Sequence, residues 1–563
     1  MVALCLLACL GLILSGCSLN GQKPQQAAVA TAHPLATQAA FRVLDRGGNA
    51  FDAAIAAASM LAVVEPYGSG LGGGGFWLLQ RSNGESIVID AREKAPLAAH
   101  RDMYLDATGN VSKSASSTNG PLAAAIPGQV AAIDHISREF GNMPLAATLA
   151  DAIQVADDGF RVTEKYRDMV RFREAELRRH PASRSTFLIN DSIPERNVLI
   201  KQPQLAETLR QIARTGKRAF YTGELAEKLV DDVHAAGGIW TTEDLAAYET
   251  VEREPIRFSY QGYDITTVPP PSSGGIALAQ MFGIRERVTS QNVLPEKLES
   301  TIKNTEVMRL AYRDRSLYLG DPDFVDVPTD DLLQRSYLAY LARSVSNTLA
   351  DAESETTDAR TKAPEFDDET HHTTHFSIVD GYGNRASVTL SINLPFGSGY
   401  TSPQTGILLN NEMDDFSIKP GHPNAYGLVG NEANAIEPGK RPLSSMTPSI
   451  VENGERLMIT GTPGGSRIIS MVFQSILSFI EGKDAQAIVT TPRYHHQFKP
   501  DVIQHEPNTF SEEELNSLHA LGYNTKDIGR EYGNMQIVIW DKDAKTMQAA
   551  SDPRGIGQAI SRQ

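Results

Sequence analysis

An α+β architecture is the fold class the sequence predicts, and three local patterns carry that prediction. Residues 36–66 are alanine-rich and read as helix, interrupted at Gly47-Gly48-Asn49 and restarting at Asp52. Residues 76–79 and 86–90 are short runs of aromatic, Leu, Ile and Val side chains that read as strands, after a glycine loop at 68–75. Residues 373–379 and 385–393 alternate polar and apolar side chains around a turn at 380–384, the pattern of a hairpin. Between 120 and 350, helical patterns such as 204–215 alternate with short loops, and residues 269–275 (PPPSSGG) make the clearest rigid break. No repeat of solenoid length is visible.

Composition narrows the function classes. At 563 residues, 41% hydrophobic and 21% charged, the chain is of ordinary globular composition. A net charge of −16 argues against a nucleic-acid partner, which demands a basic face. The three cysteines, Cys5, Cys9 and Cys17, all lie in the first 17 residues. The rest of the chain therefore has no thiol for a disulfide, a nucleophile or a metal, and any nucleophile is an oxygen or an amine. Residues 1–17 form an apolar run of signal-peptide length. The run closes on Leu14-Ser15-Gly16-Cys17, which resembles a bacterial lipobox, although no Lys or Arg precedes it. That resemblance implies export, with a lipid on Cys17 anchoring the chain at the periplasmic face of an envelope membrane; Ser18 after it fits the outer membrane. A buried N-terminal helix is the plainer alternative. Residues 20–32, polar and alanine-rich, read as a tether.

Residues 351–372 carry many acids and few large apolar side chains, so they are expected to be exposed and loosely ordered. The hairpin follows at once. A turn centred on Tyr382 pairs Thr373 with Ser391 and His375 with Thr389, with opposed Cβ atoms roughly 5 Å apart. Thr373, His375, Ser377, Thr389, Ser391 and Asn393 then share a polar face. By periodicity alone, this is equally a half-buried hairpin with a solvated face, and a bulge would change the register.

Several longer blocks resemble the γ-glutamyltransferases. They are His371-His372-Thr373-Thr374-His375-Phe376-Ser377, Leu409-Asn410-Asn411-Glu412-Met413-Asp414-Asp415-Phe416, Lys440 to Met446, and Thr462-Pro463-Gly464-Gly465-Ser466-Arg467. Others are 71–76, Asp90 to Pro96, 269–275, Tyr318 to Phe324 and Ala550 to Arg554, so the likeness spans 27–555 in the family's order. The resemblance implies the four-layer αββα sandwich of the N-terminal-nucleophile hydrolases. It also implies a precursor that cuts itself between His372 and Thr373. After removal of the leader 1–17, a large subunit of 18–372 and a small subunit of 373–563 would remain together as a heterodimer.

A threonine hydroxyl needs a base, and a freed α-amine with a pKa of roughly 7.7–8 supplies one on the same residue. By resemblance Thr373 is the nucleophile, Ser391 its neighbouring hydroxyl, and Gly464 and Gly465 the oxyanion donors. Arg92, Ser444 and Ser445 correspond to the binders of the substrate α-carboxylate. Asp415, helped by Glu412 and Asn393, corresponds to the acceptor for the α-ammonium, and Tyr426 to a lid tyrosine that bonds the Asn393 position. The implied substrates are glutathione and other γ-glutamyl compounds, with water, amino acids or dipeptides as acceptors; no cofactor or metal is implied. Two positions depart from the pattern: Ser391 stands where many relatives have threonine, and Glu412 follows the animal enzymes where some bacterial ones have glutamine.

Each residue also has a duller reading. Arg92 could form a surface ion pair, Asp414-Asp415 a solvated loop or helix cap, and Gly464-Gly465 a turn into an apolar helix at 468–480. Glycines 72–75 lack the Lys-Ser/Thr of a P-loop. His371, His372, His375, His495 and His496 invite zinc, but no HExxH is present, and no G-x-S-x-G elbow appears. Three functional readings follow: γ-glutamyl transfer and hydrolysis; an acylase acting on glutaryl-type amides or γ-linked polymers; and a non-catalytic lipoprotein that keeps the fold as a binding module.

Overall fold

Helix α1 (Pro34–Asp45) stops where Gly48 donates its N–H back to the Val43 carbonyl at 3.0 Å. The next helix, α2 (Ala50–Val64), is started by Asn49, whose side chain accepts from the Phe51 and Asp52 N–H groups while the Asp52 carboxylate accepts from the Asn49 N–H. This reciprocal capping box sets the restart at Ala50 rather than Asp52; Asp52 serves the cap from the third helical position. All fifteen residues of α2 are buried, the condition of a helix covered on every side.

The computed structural model describes residues 26–112, 114–290, 294–353 and 373–562. The expectations for the leader, Cys17, His371 and His372 lie outside those residues, as does most of the acidic stretch. Its first three residues, 351–353, are the end of a helix Arg335–Glu353.

Among the described residues two antiparallel sheets form the centre. Their strands are β1 (Ala27–Thr31), β2 (Gly74–Gln80), β3 (Ser86–Ala91), β4 (Val251–Arg253), β5 (Ile256–Tyr260), β6 (Tyr263–Thr267), β7 (Thr374–Val379), β8 (Arg385–Ser391), β9 (Ser449–Glu452), β10 (Arg456–Gly461), β11 (Gln536–Asp541), β12 (Thr546–Ser551) and β13 (Gln558–Arg562). One sheet runs β13-β1-β7-β8-β2-β3-β4, the other β12-β11-β10-β9-β6-β5. Helices α1 and α2 cover the first sheet. Helices α3 (Gly274–Arg285), α4 (Glu296–Tyr318) and α5 (Ile468–Ile480) belong to the apolar cluster of the second. The result is the expected four-layer order of helices, sheet, sheet and helices.

Strand β1 corrects the reading of 20–32 as a tether. Residues 27–31 are fully buried between β13 and β7. Alanine composition reads as loose chain, yet small side chains are what a strand squeezed between two layers accepts. Ala27 and Val29 join the helix-side cluster, and Ala28 and Ala30 join the inter-sheet one.

The hairpin has the expected register without a bulge, with His375 opposite Thr389, Thr374 opposite Leu390 and Val379 opposite Arg385. Asp380 closes its turn by accepting from the Tyr382 and Asn384 N–H groups at 2.9 Å, and its other oxygen accepts from Ala50 N–H, tying the turn to the start of α2. The polar face is not solvated. Ser377 donates to the Gln536 carbonyl of the second sheet at 2.9 Å and Ser387 to that of Thr460 at 3.2 Å. His375 sits wholly buried between Thr389 and Ser377, and burial lowers its pKa to about 3, so it is a neutral spacer. Gly461 lies directly against that imidazole, with no room for a Cβ.

Gly461→Ala is therefore expected to force the sheets apart locally and cost about 1–3 kcal/mol, the range for overpacking. Denaturant midpoints of the two proteins check this; an unchanged midpoint contradicts the close sheet contact.

Candidate active site

Thr373 stands at the head of β7, at the open end of the hairpin. Its Oγ1 lies 3.1 Å from the Ser391 hydroxyl at the end of β8, and either oxygen can donate. Ser391 also accepts from the Asn393 N–H at 2.8 Å. Asn393 then turns the chain through a left-handed conformation (φ 71°), which asparagine tolerates better than most residues. Its side chain donates to the Asn411 carbonyl at 2.9 Å, and its own carbonyl accepts from the Tyr426 hydroxyl at 2.9 Å. The ring of Tyr426 lies over Gly465, where a Cβ would come within 2.6 Å of it.

Arg92 follows β3 and is buried, so the surface ion pair is excluded. Asp90 accepts from its N–H at 2.9 Å and the Pro442 carbonyl from its Nε at 3.1 Å. Nη1 donates to Glu412 at 2.7 Å and reaches Glu93 at 3.4 Å, while Nη2 donates to Asp415. One guanidinium thus faces three carboxylates. Burial pushes the Glu93 carboxyl up to about 7 and Glu412 well above its usual range; Arg92 opposes both shifts. For Arg92 burial acts downward, but the carboxylates outweigh it and hold the guanidinium charged. One oxygen of Glu93 and one of Glu412 receive no hydrogen bond among the described residues.

Asp414 and Asp415 belong to a 3-10 turn, Glu412–Asp415, and not to a solvated loop. Asp414 accepts from the Ser117 hydroxyl and the Ala425 N–H, and Asp415 from the Asn424 amide, so both fasten the Tyr426 segment. Ser444 accepts from Met446 N–H at 3.0 Å. Ser445 accepts at 3.3 Å from Arg315, which also donates to Ser273. Gly464 (φ 146°) and Gly465 (φ 55°) lead into a 3-10 turn and then α5, so the turn reading of this pair also holds.

Two cavities meet at Thr373. One gathers Thr373, Ser391 and Gly465 with Arg92, Asn393, Glu412, Asp415, Tyr426, Ser444 and Ser445, residues drawn from positions 92 to 465 of the sequence. Gly464 instead lines the other cavity, with Thr373, Glu65, Lys165 and Arg467. Sequence reading missed Glu65, Glu93, Lys165 and Arg315. Glu93 was visible inside a matched block, but the others sit in helical stretches with no chemical pattern. Among the described residues no group of three His, Cys, Asp or Glu side chains is arranged to hold a metal; His495 bonds Ser470 and Gln497 instead.

Two facing sheets between helical layers, with a threonine heading a central strand, define the class of N-terminal-nucleophile hydrolases. A solved cephalosporin acylase from Bacillus halodurans shares the fold at a TM-score of 0.80, with 27% identity over 95% of each chain. The Helicobacter pylori gamma-glutamyltranspeptidase superposes with a TM-score of 0.53 at 37% identity, covering 56% of this chain and 90% of that one. The glutathione hydrolase proenzyme of Escherichia coli (strain K12) is 40% identical over 537 residues, 95% of this chain and 91% of that protein. The family profile described as Gamma-glutamyltranspeptidase matches residues 36–561, and the chain belongs to that family.

Removing the Arg92 charge leaves the buried Glu93 and Glu412 and the partly exposed Asp415 without their cation. Arg92→Gln is expected to cost about 3–5 kcal/mol. Glu93 and Glu412 would then titrate still further above their unfolded values, so their destabilisation grows as pH rises through the folded pKa and eases toward pH 5. Thermal midpoints of variant and parent at pH 5 and pH 8 measure this; an equal deficit at both contradicts the charge cluster.

Proposed function

We propose that this chain is a self-processing γ-glutamyltransferase and glutathione hydrolase whose nucleophile is Thr373. The observation that carries the reading is the 3.1 Å Thr373–Ser391 hydroxyl contact, on the same cavity as Arg92 and its carboxylates. In the precursor, Thr373 Oγ attacks the His372 carbonyl, and water resolves the resulting ester to leave an N-terminal threonine. The freed amine then takes the Oγ proton as Oγ attacks the γ-carbonyl of the substrate. Gly464 and Gly465 offer N–H groups to the oxyanion, positions where close backbone approach matters. The amine that leaves takes the proton back, and the γ-glutamyl ester passes to water or to the amine of an amino acid or dipeptide.

The charge around Arg92 supports an amino-acid end on the substrate. Three carboxyl groups outnumber one guanidinium, and an α-ammonium near Glu412 and Asp415 reduces that excess, with Asn393 beside them. The α-carboxylate is met by Ser444, Ser445 and the Arg92 fork, and Tyr426 closes the cavity over both. A glutaryl group brings no ammonium and leaves that excess charge unmatched, which favours γ-glutamyl over glutaryl amides.

The two pieces left by the cut stay together because their strands interleave. Strands β7, β8 and β13 of the small piece pair with β1 and β2 of the large one, and β9 pairs with β6. The apolar leader ending in Leu14-Ser15-Gly16-Cys17 supports export and a lipid on Cys17, anchoring the heterodimer at the periplasmic face of an envelope membrane, the outer one by the Ser18 rule.

Denaturing electrophoresis of purified protein is expected to give two bands, and Thr373→Ala a single inactive one. A single band for both would leave the non-catalytic lipoprotein. Release of product from a γ-glutamyl anilide but not from a glutaryl anilide is expected, and the reverse would make the protein an acylase. Cys17→Ser is expected to move the protein from the membrane to the soluble fraction of bacterial cells; unchanged partition and mass would refute lipidation.

A further inference from the structure

The second cavity at Thr373 holds a group that the chemistry above does not use. Glu65 is buried at the C-terminal end of α2, and its carboxylate accepts a 2.6 Å hydrogen bond from the Thr374 hydroxyl. Thr374 directly follows the nucleophile, and Glu65 and Thr373 line one cavity. The carboxylate therefore sits at the end of β7 where a cut before Thr373 leaves an α-amine. The local chain holds it in place: Glu65 N–H donates to Leu61 and its carbonyl accepts from Gly68, each at 2.8 Å. Gly68 folds so tightly over the side chain that a Cβ there would lie 3.1 Å from Glu65 Cδ.

We propose that Glu65 is the counter-ion of the Thr373 α-amine, a positioning residue that holds the amine in place and stabilises the ammonium it becomes. The inference rests on Thr373 acting as an N-terminal nucleophile. As the Oγ electron pair forms its bond to the substrate carbonyl, the Oγ proton moves to the amine nitrogen. Glu65 remains a carboxylate throughout, and the same proton later leaves with the departing amine.

The surroundings make such a partner necessary. Lys165, Arg467, Arg530 and Arg554 all line this cavity, with Tyr67, Tyr532 and Glu531 as its other titratable groups besides Glu65. A new ammonium there would meet like charges, and like charges depress an amine's pKa. Arg554 is already paired with Glu506 and Asp552, so its field is largely offset. Glu65 supplies the opposite sign next to the cut end. Burial holds its own carboxyl up at about 7, while Thr374 and Lys165 draw it down. An adjacent ammonium favours the carboxylate further, so the two ionise together.

The test measures the amine itself. In the cleaved enzyme, the rate at which an amine-reactive reagent labels the Thr373 N-terminus, followed across pH by peptide mass spectrometry, reports the amine pKa. Glu65→Gln is expected to lower that pKa by about one unit or more, the scale for losing a close opposite charge. The acidic limb of kcat/KM for a γ-glutamyl anilide should move to lower pH with it. A variant that loses activity uniformly while the amine pKa stays put, or rises, overturns the inference. Should Glu65→Gln remain uncut, Lys165→Met carries the same test with opposite sign. Removing the like charge should raise the amine pKa and move the limb to higher pH, and no shift there overturns the inference. Labelling needs no substrate. A wild-type protein without a Thr373 N-terminus defeats the proposed function, whereas one whose amine pKa ignores these charges defeats this inference alone.

Discussion

The pairing of β7 with β8, free of any bulge, is the constraint on which the rest depends. Because the pairing holds from Val379 opposite Arg385 up to Thr374 opposite Leu390, the next step outward brings Thr373 beside Ser391. A slip of one residue would turn Thr373 toward α2 and bring Phe376 and Ile378 into the seam between the sheets. The register is held at both ends. Asp380 locks the turn to the start of α2, and Asn393 and Asn411 pin the outgoing chain. The polar face is equally committed, since Ser377 and Ser387 bond across to the second sheet and Gly461 leaves just enough space for His375.

That scaffold delivers the nucleophile to a site whose character is electrostatic. Arg92, Glu93, Glu412 and Asp415 come from two distant segments and form a largely buried set of three carboxyl groups around one guanidinium, with Asp415 partly exposed. Such a set is poor as a pure stabilising device, because burying ions costs several kcal/mol each before any attraction is gained. It is well suited to a ligand carrying both an ammonium and a carboxylate. On the other side of Thr373 the sign reverses, with lysine and arginines around Glu65. The threonine thus lies between an acidic cavity and a basic one.

Much of this was legible from residues alone. The hairpin register followed from period-two alternation and one turn. Helix α5 fell at 468–480, because an apolar run after a glycine pair has few other fates. The failures were equally physical. Residues 27–31 read as tether because alanine and polar content say nothing of a strand whose partners lie at 376–379 and 558–562. The helix restart was misplaced by two residues because Asp52 looks like a cap and is instead the third residue of a capping box.

By itself, the sequence determined which residue types were present and in what order: no thiol after Cys17, a threonine at the head of an alternating strand, and family blocks along the chain. Tertiary structure alone decided what those residues face. Arg92 became a buried cation among three acids, Glu65 came to rest against Thr374, and the hairpin's polar side was enclosed rather than wetted. Local pattern depends on a few neighbouring side chains, whereas charge balance and burial depend on every segment that folding brings within a few ångströms. Those segments are hundreds of residues apart.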